Sequence, residues 1–236
     1  MKNSKSLLRF SLMSFLFALL VGISACSKKS DVPSEGELMI VNASPGFGPV
    51  DVYFDNNLFG AAGLVYPSNT GYETVVVGEH NLKVTATGST TSIFEGKLNT
   101  LGDISQSLFI FGKPTSLNVF AVADNFYTPS AGKALIRFFH LSPDGQTIDL
   151  GYLTGSTFTP LYIGRSFETN TSAINFSPFA AIDQGTYELD VRISGASISL
   201  LSYNVTLTAG KFYTLFLKGI SGDPVTPLGL EVITHN

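Results

Sequence analysis

The sequence predicts an all-β protein: two tandem immunoglobulin-like antiparallel β-sandwiches after a cleaved lipoprotein signal peptide. Three observations carry this expectation. Short runs alternate apolar and polar side chains with a period of two. Gly, Pro, Asn and Asp interrupt the runs. The whole pattern occurs twice, about 98–107 residues apart.

The alternation is plainest at His80, Leu82, Val84 and Ala86, set between Asn81, Lys83, Thr85 and Thr87. Tyr187, Leu189, Val191 and Ile193 alternate in the same way with Glu188, Asp190, Arg192 and Ser194. A period of two puts one set on the core face and the other on the solvent face. Further runs in the first copy are Leu38–Ala43, Val50–Phe54, Thr74–Val77, Ile93–Leu98, Leu108–Phe111 and Leu117–Val122. Breaks such as Asp55-Asn56-Asn57 and Pro143-Asp144-Gly145 supply turn chemistry. No segment after the leader holds a helical period. About seven short strands in roughly 90–100 residues describe a sandwich.

The repeat is read from five matches in one order. Asn42-Ala43-Ser44-Pro45 recurs as His140-Leu141-Ser142-Pro143, and Val50-Asp51-Val52 as Ile148-Asp149-Leu150, both 98 residues on. Gly78–Val84 matches Gly185–Val191, and Leu108–Ile110 matches Leu215–Leu217, both 107 residues on. Leu117-Asn118-Val119 matches Leu230-Glu231-Val232. The second copy therefore holds about nine extra residues between its second and third motifs. The expected divisions are a leader at 1–25, an anchor and tether at 26–36, a first sandwich at 37–124, a linker at 125–132 and a second sandwich at 133–236. Pro129, Ser130 and Gly132 mark the linker.

Lys2, Lys5 and Arg9 precede a short apolar run, Leu12 to Ile23, which ends at Ile23-Ser24-Ala25-Cys26. A basic head, an apolar stretch and a small-residue cleavage site describe a secretory signal. The residues before Cys26 resemble a bacterial lipobox, which implies that Cys26 is lipidated and becomes the new N-terminus. As the chain's one cysteine it can form no intramolecular disulfide, and a free thiol would be a liability in an oxidising compartment. The polar tether Ser27–Glu37 has a reach of roughly 20 Å, which keeps the first sandwich close to its membrane. An outer-membrane lipoprotein facing the periplasm or the cell surface is expected.

Asn42-Ala-Ser-Pro45, then Val50-Asp-Val-Tyr53, then a Gly-x-x-x-Leu-x-Val strand at Gly78, resembles the bacterial envelope module called domain-of-unknown-function family 4397. The second copy departs from the pattern at Leu141 and at Leu150-Gly151. The resemblance implies a β-sandwich, the cell envelope and often a tandem arrangement. It supplies no catalytic residues.

The motif residues Asn42, Ser44, Pro45, Asp51, His140, Ser142, Pro143 and Asp149 are the candidate site. A fold-stabilising role explains them well. A proline extends the backbone of the residue before it, and the Ser hydroxyls can cap the following turn. Asp51 and Asp149 are placed to accept amide hydrogen bonds from the preceding loop. The sharper reading puts each Asp in a ligand or cation site at the loop end. His140 stands where the first copy has Asn42, so a catalytic role would be confined to one copy. The aromatics Phe47, Phe59, Tyr66, Phe126, Tyr127, Phe158 and Tyr162 either plug loop ends or form a binding patch.

Composition narrows the function classes. Charged residues are 14 %, against about 25 % in an average soluble protein, which argues against disorder. Removing Lys2, Lys5 and Arg9 from a chain of formal charge −4 leaves −7, a poor match for nucleic acid. There is no Gly-x-Ser-x-Gly elbow and no His-Glu-x-x-His motif. No cofactor and no metal are expected. A non-enzymatic binding, adhesion or assembly module is expected, held to the membrane through lipid on Cys26 and engaging a glycan or an envelope protein. The alternatives are a glycan-binding accessory of polysaccharide uptake and a cryptic hydrolase.

Overall fold

The alternating runs fold as strands, and each copy contributes eight. The computed structural model describes residues 35–235, which fall within one compact unit, Pro33–Asn236. Cys26 and the leader lie outside the described residues.

The first copy holds β1 (Glu35–Asn42), β2 (Val50–Phe54), β3 (Asn57–Leu58), β4 (Ser68–Val76), β5 (Gly78–Ala86), β6 (Ser92–Thr100), β7 (Ser105–Lys113) and β8 (Ser116–Ala123). The second holds β9 (Lys133–His140), β10 (Ile148–Thr154), β11 (Thr157–Arg165), β12 (Ala180–Asp183), β13 (Gly185–Ile193), β14 (Ser199–Leu207), β15 (Phe212–Lys218) and β16 (Gly229–His235). A short helix, α1 (Asn170–Asn175), lies between β11 and β12. Its N-cap is Thr169, which exchanges capping bonds with Ser172. The extra residues of the second copy therefore build a longer β11 and this helix.

Each copy folds as two four-stranded sheets in the same order. The first has β4-β1-β7-β8 over β3-β2-β5-β6, and the second has β12-β9-β15-β16 over β11-β10-β13-β14. Pairing is antiparallel except for β1 with β7 and β9 with β15, which run parallel. The β2–β3 hairpin turns on Asp55-Asn56, both at positive φ (50° and 67°), which suits a two-residue type I′ turn. The short β3 and the polar first half of β4 carry little alternation, so the runs read from sequence omit β3 and begin β4 at Thr74 rather than Ser68.

Leu38, Ile40, Val50, Val84, Leu108 and Ile110 fill the first sandwich. Ile136, Phe138, Ile148, Leu150, Val191 and Leu215 fill the second. A third core lies between the copies, where Met39, Val41, Phe109, Phe111 and Phe120 meet Phe139, Leu141 and Phe216. Sheets β4-β1-β7-β8 and β12-β9-β15-β16 are thus buried on both faces. Their strands read as near-continuous apolar runs, such as Leu108–Phe111 and Leu215–Leu217, rather than alternating ones.

Candidate functional site

The repeated motif sits where β1 and β9 end and turn into β2 and β10. In the first sandwich its side chains are spent within the fold. Asn42 Nδ2 donates to the Leu64 carbonyl (3.0 Å), and Asn42 Oδ1 accepts from the Ser44 amide (3.2 Å). Ser44 Oγ donates to the Gly112 carbonyl (2.6 Å), and Pro45 is buried beside it. Asp51 is 5 % exposed and accepts from the Gly63 amide (2.8 Å), Thr87 Oγ1 (3.0 Å) and the Gly88 amide (3.3 Å). The donors come from the β3–β4 loop and the β5–β6 turn, not from the preceding loop.

The second sandwich keeps half of this pattern. Ser142 Oγ contacts the Gly219 carbonyl (2.7 Å), the counterpart of Gly112, and Asp144 Oδ1. Asp149 accepts from the Gly164 amide (2.7 Å) only. Pro143 is half-buried. His140 differs most. Its Nε2 lies 2.9 Å from the Gln146 carbonyl, which can only accept, so Nε2 carries the proton. Burial pulls its pKa below 6.5, outweighing the Gln146 carbonyl, and the ring is neutral at pH 7. Its Nδ1 is then a bare acceptor, and it is buried with no partner. The inserted segment fixes the His140 backbone: the His140 amide donates to Glu168 Oε1 (3.3 Å), and the Glu168 amide donates to the His140 carbonyl (2.9 Å). Glu168 is itself paired with buried Arg165 (2.6 Å).

These residues line a cavity of about 120 Å³ at the loop end. His140, Ser142, Asp144, Gln146 and Ser221 form its polar side; Ile148, Ile193, Leu200, Leu217 and Leu228 form its apolar side. Hydroxyl, imidazole and carboxylate therefore share one pocket, but not as a catalytic relay. The Ser142 proton goes to a carbonyl or to Asp144, and the His140 proton goes to Gln146. No hydroxyl–imidazole bond joins nucleophile to base, which acyl transfer requires. Among the described residues no three His, Cys, Asp or Glu side chains converge as metal ligands.

The aromatics singled out in the sequence do not gather into one patch. Phe47 and Phe59 pack on the first core. Tyr66 lies near Lys218, Phe158 under Arg192, and Tyr162 donates to the Ile136 carbonyl (2.9 Å). Phe126 and Tyr127 pack on Phe212.

One buried network escaped the sequence reading. Arg137, fully buried, pairs with Asp124, and its Nε donates to Thr214 Oγ1 (2.8 Å). Asp124 also accepts from Tyr72 Oη (2.8 Å) and Ser107 Oγ (2.6 Å). His235 bridges Tyr72 Oη (2.7 Å) and Thr214 Oγ1 (2.7 Å). Tyr72 comes from the first sandwich and His235 from the last residues of the second, so the network ties the copies together. The available signal was Arg137 itself, a charge inside the apolar run Ala134–Phe139 that demands a buried partner.

Residues 36–151 match the family described as domain of unknown function, DUF4397. The chain carries a DUF4397 domain. The matched stretch of DUF4397 takes in the first sandwich, β9 and the first part of β10. No curated protein matches the chain. Among solved structures, the chain is similar to the family CBM26 module CBMbc of Eubacterium rectale Amy13K, solved with maltoheptaose. Identity is 15 %, 85 % of this chain and 98 % of that one are covered, and the TM-score is 0.28. A streptococcal virulence factor described as binding alpha-glucan gives 9 % identity, 77 % and 92 % coverage and a TM-score of 0.23. A Bacteroides eggerthii protein described as a cell adhesion protein gives 11 % identity, 86 % and 96 % coverage and a TM-score of 0.21. Likenesses this weak assign no ligand.

Proposed function

We propose that this DUF4397 protein is a lipid-anchored, non-enzymatic binding protein of the Gram-negative envelope, with the loop-end cavity of the second sandwich as its receptor element for a glycan or an envelope protein. The observation that carries this reading is the cavity itself. Its aliphatic walls face His140, Ser142 and Asp144, and no hydrogen bond joins the Ser142 hydroxyl to the His140 ring. Such a mixture of apolar lining and a few placed polar groups is the usual make-up of a ligand pocket. The support for anchoring is the basic head, the apolar run and Ile23-Ser24-Ala25-Cys26.

The test is site-specific photo-crosslinking in intact cells, joined to a glycan array with the purified protein. The crosslinker is placed at Gln146, beside the cavity, and at Lys211, which lies at the other end of β9. Partner capture from Gln146 alone, or glycan binding lost when the cavity is blocked, supports the reading. Equal capture from both positions, with no glycan bound, overturns it. Protease shaving of intact and lysed cells assigns the membrane face.

A further inference from the structure

The two copies differ at one place that decides the chemistry of the cavity. The β1–β2 and β9–β10 loops are equally long, residues 43–49 and 141–147. The 98-residue offset puts Phe47 of the first loop at Gly145 of the second. Phe47 and Ile93 pack against the first core, which includes Val50 and Ile110. The counterparts of Val50, Ile93 and Ile110 in the second copy, by the same offsets, are Ile148, Leu200 and Leu217, and all three line the cavity. A Cβ built on Gly145 would meet nothing within 4 Å. The first copy thus has a core-packed phenyl ring at the loop position where the second has no side chain.

We infer that the cavity of the second sandwich binds a phenol-class group: one aromatic six-membered ring carrying one hydrogen-bond donor. This rests on the binding reading above and deepens it. A cavity of about this size, lined by aliphatic side chains, accepts a benzene-sized ring. The polar side offers acceptors. His140 lines it, and its Nδ1 is buried with no partner. Asp144 lines it too and accepts from Ser142 and from the Ser221 amide, while the Ser142 and His140 protons are already committed. A phenol hydroxyl can donate to that side while its ring takes the apolar side. A pyranose fits poorly, because Ile148, Ile193, Leu200, Leu217 and Leu228 offer its ring hydroxyls no partners. The same chemistry has two sources, a free phenol or a tyrosine side chain of a partner.

The test titrates the folded protein with p-cresol and with p-methylanisole, which has the same ring but no donor, and follows backbone amide shifts by NMR. Expected are shifts concentrated at residues 140–148 and 217–221 with p-cresol, and binding about tenfold weaker for p-methylanisole. His140→Asn, the first copy's residue, shrinks that preference. The combined variant Asp144→Gly, Gly145→Phe, Gln146→Gly installs the first copy's loop and abolishes binding. All three positions change because the left-handed residue is Gly46 (φ 84°) in one loop and Gly145 (φ 79°) in the other. The variant's melting temperature, equal to or above that of the parent, shows that it folds. Tighter binding of N-acetyltyrosine amide than of p-cresol supports the site and points to a partner's side chain; the reverse order supports it and points to a free phenol. Absence of shifts at about 10 mM p-cresol, a concentration that reveals even millimolar affinity, overturns the inference, as does unchanged binding by the loop variant. If p-cresol fails while a variant carrying only Asp144→Gly and Gly145→Phe loses the crosslink from position 146, the ligand class falls and the binding reading stands.

Discussion

His235 makes the stability of the protein depend on pH, and the network around it fixes the sign. The Tyr72 hydroxyl has one proton, which goes to Asp124. Tyr72 Oη must then accept from His235 Nδ1–H. The other nitrogen, Nε2, accepts from Thr214 Oγ1, whose own lone pair takes the Arg137 Nε proton. The ring is therefore neutral, and a second proton would break the Thr214 bond. Burial pushes the His235 pKa down to about 4, with Asp124 opposing and Arg137 assisting. In the unfolded chain the value returns to about 6.5. Between these values the unfolded state binds more protons, so stability rises with pH. The contribution is present above 6.5 and is lost as the pH falls toward 4.

At about 1.4 kcal/mol per pKa unit the gap amounts to about 3 kcal/mol, of which about 2 kcal/mol is gone by pH 5. Burial pulls His140 the same way; at His80 burial is outweighed by the hydrogen bonds that the ring donates to Asp55 and the Val76 carbonyl, which raise its pKa and act in the opposite direction. The measurement must therefore isolate His235. Urea unfolding at pH 7 and pH 5, followed by circular dichroism, is compared between the parent and His235→Asn. The variant starts less stable and loses about 2 kcal/mol less on acidification. Equal losses in the two proteins would refute the neutral, buried assignment.

Two further outcomes follow from the motif and the leader. Asp51→Ala strands two amides and a hydroxyl and should cost about 3 kcal/mol, whereas Asp149→Ala strands one amide and should cost about 1 kcal/mol, both read from urea midpoints. Cys26→Ser should move the protein from the membrane to the soluble fraction and abolish labelling by radioactive palmitate.

The parts of this fold legible in the sequence are those set by local rules. The period of two at Leu82–Ala86 and Leu189–Ile193 fixed which faces β5 and β13 bury. Asp55-Asn56-Asn57 marked a turn, and the offsets of 98 and 107 marked the duplication and its insertion. What was not legible depends on distance. The donors to Asp51 sit on two separate loops, and Tyr72 meets His235 across 163 residues. The meaning of Gly145 was also hidden. Aligned with Phe47 it looks like ordinary loop drift, and only the packing of Phe47 on the first core gives the change a meaning.

The apolar runs that fail to alternate lead to a last expectation about the chain as a whole. In β9 the even positions Ala134, Ile136 and Phe138 face the second core, whereas Phe139, and Leu141 just past the strand, face the first sandwich. Phe139 lies 5.3 Å from Phe109 and 5.2 Å from Phe120, ring centre to ring centre. A fragment of residues 133–236 would expose Phe139, Leu141, Phe216 and Ile233, and Arg137 would lose Asp124. Each such side chain is worth about 2 kcal/mol of burial, so four approach the 5–15 kcal/mol that holds a typical domain together. Expressed alone, the fragment should aggregate or self-associate through the bared sheet. Co-expressed with residues 35–132, it should return as a soluble one-to-one complex on size exclusion. A monodisperse 133–236 monomer that melts at the parent temperature would mean that the shared core contributes little. The two sandwiches would then be beads on a chain rather than one folding unit.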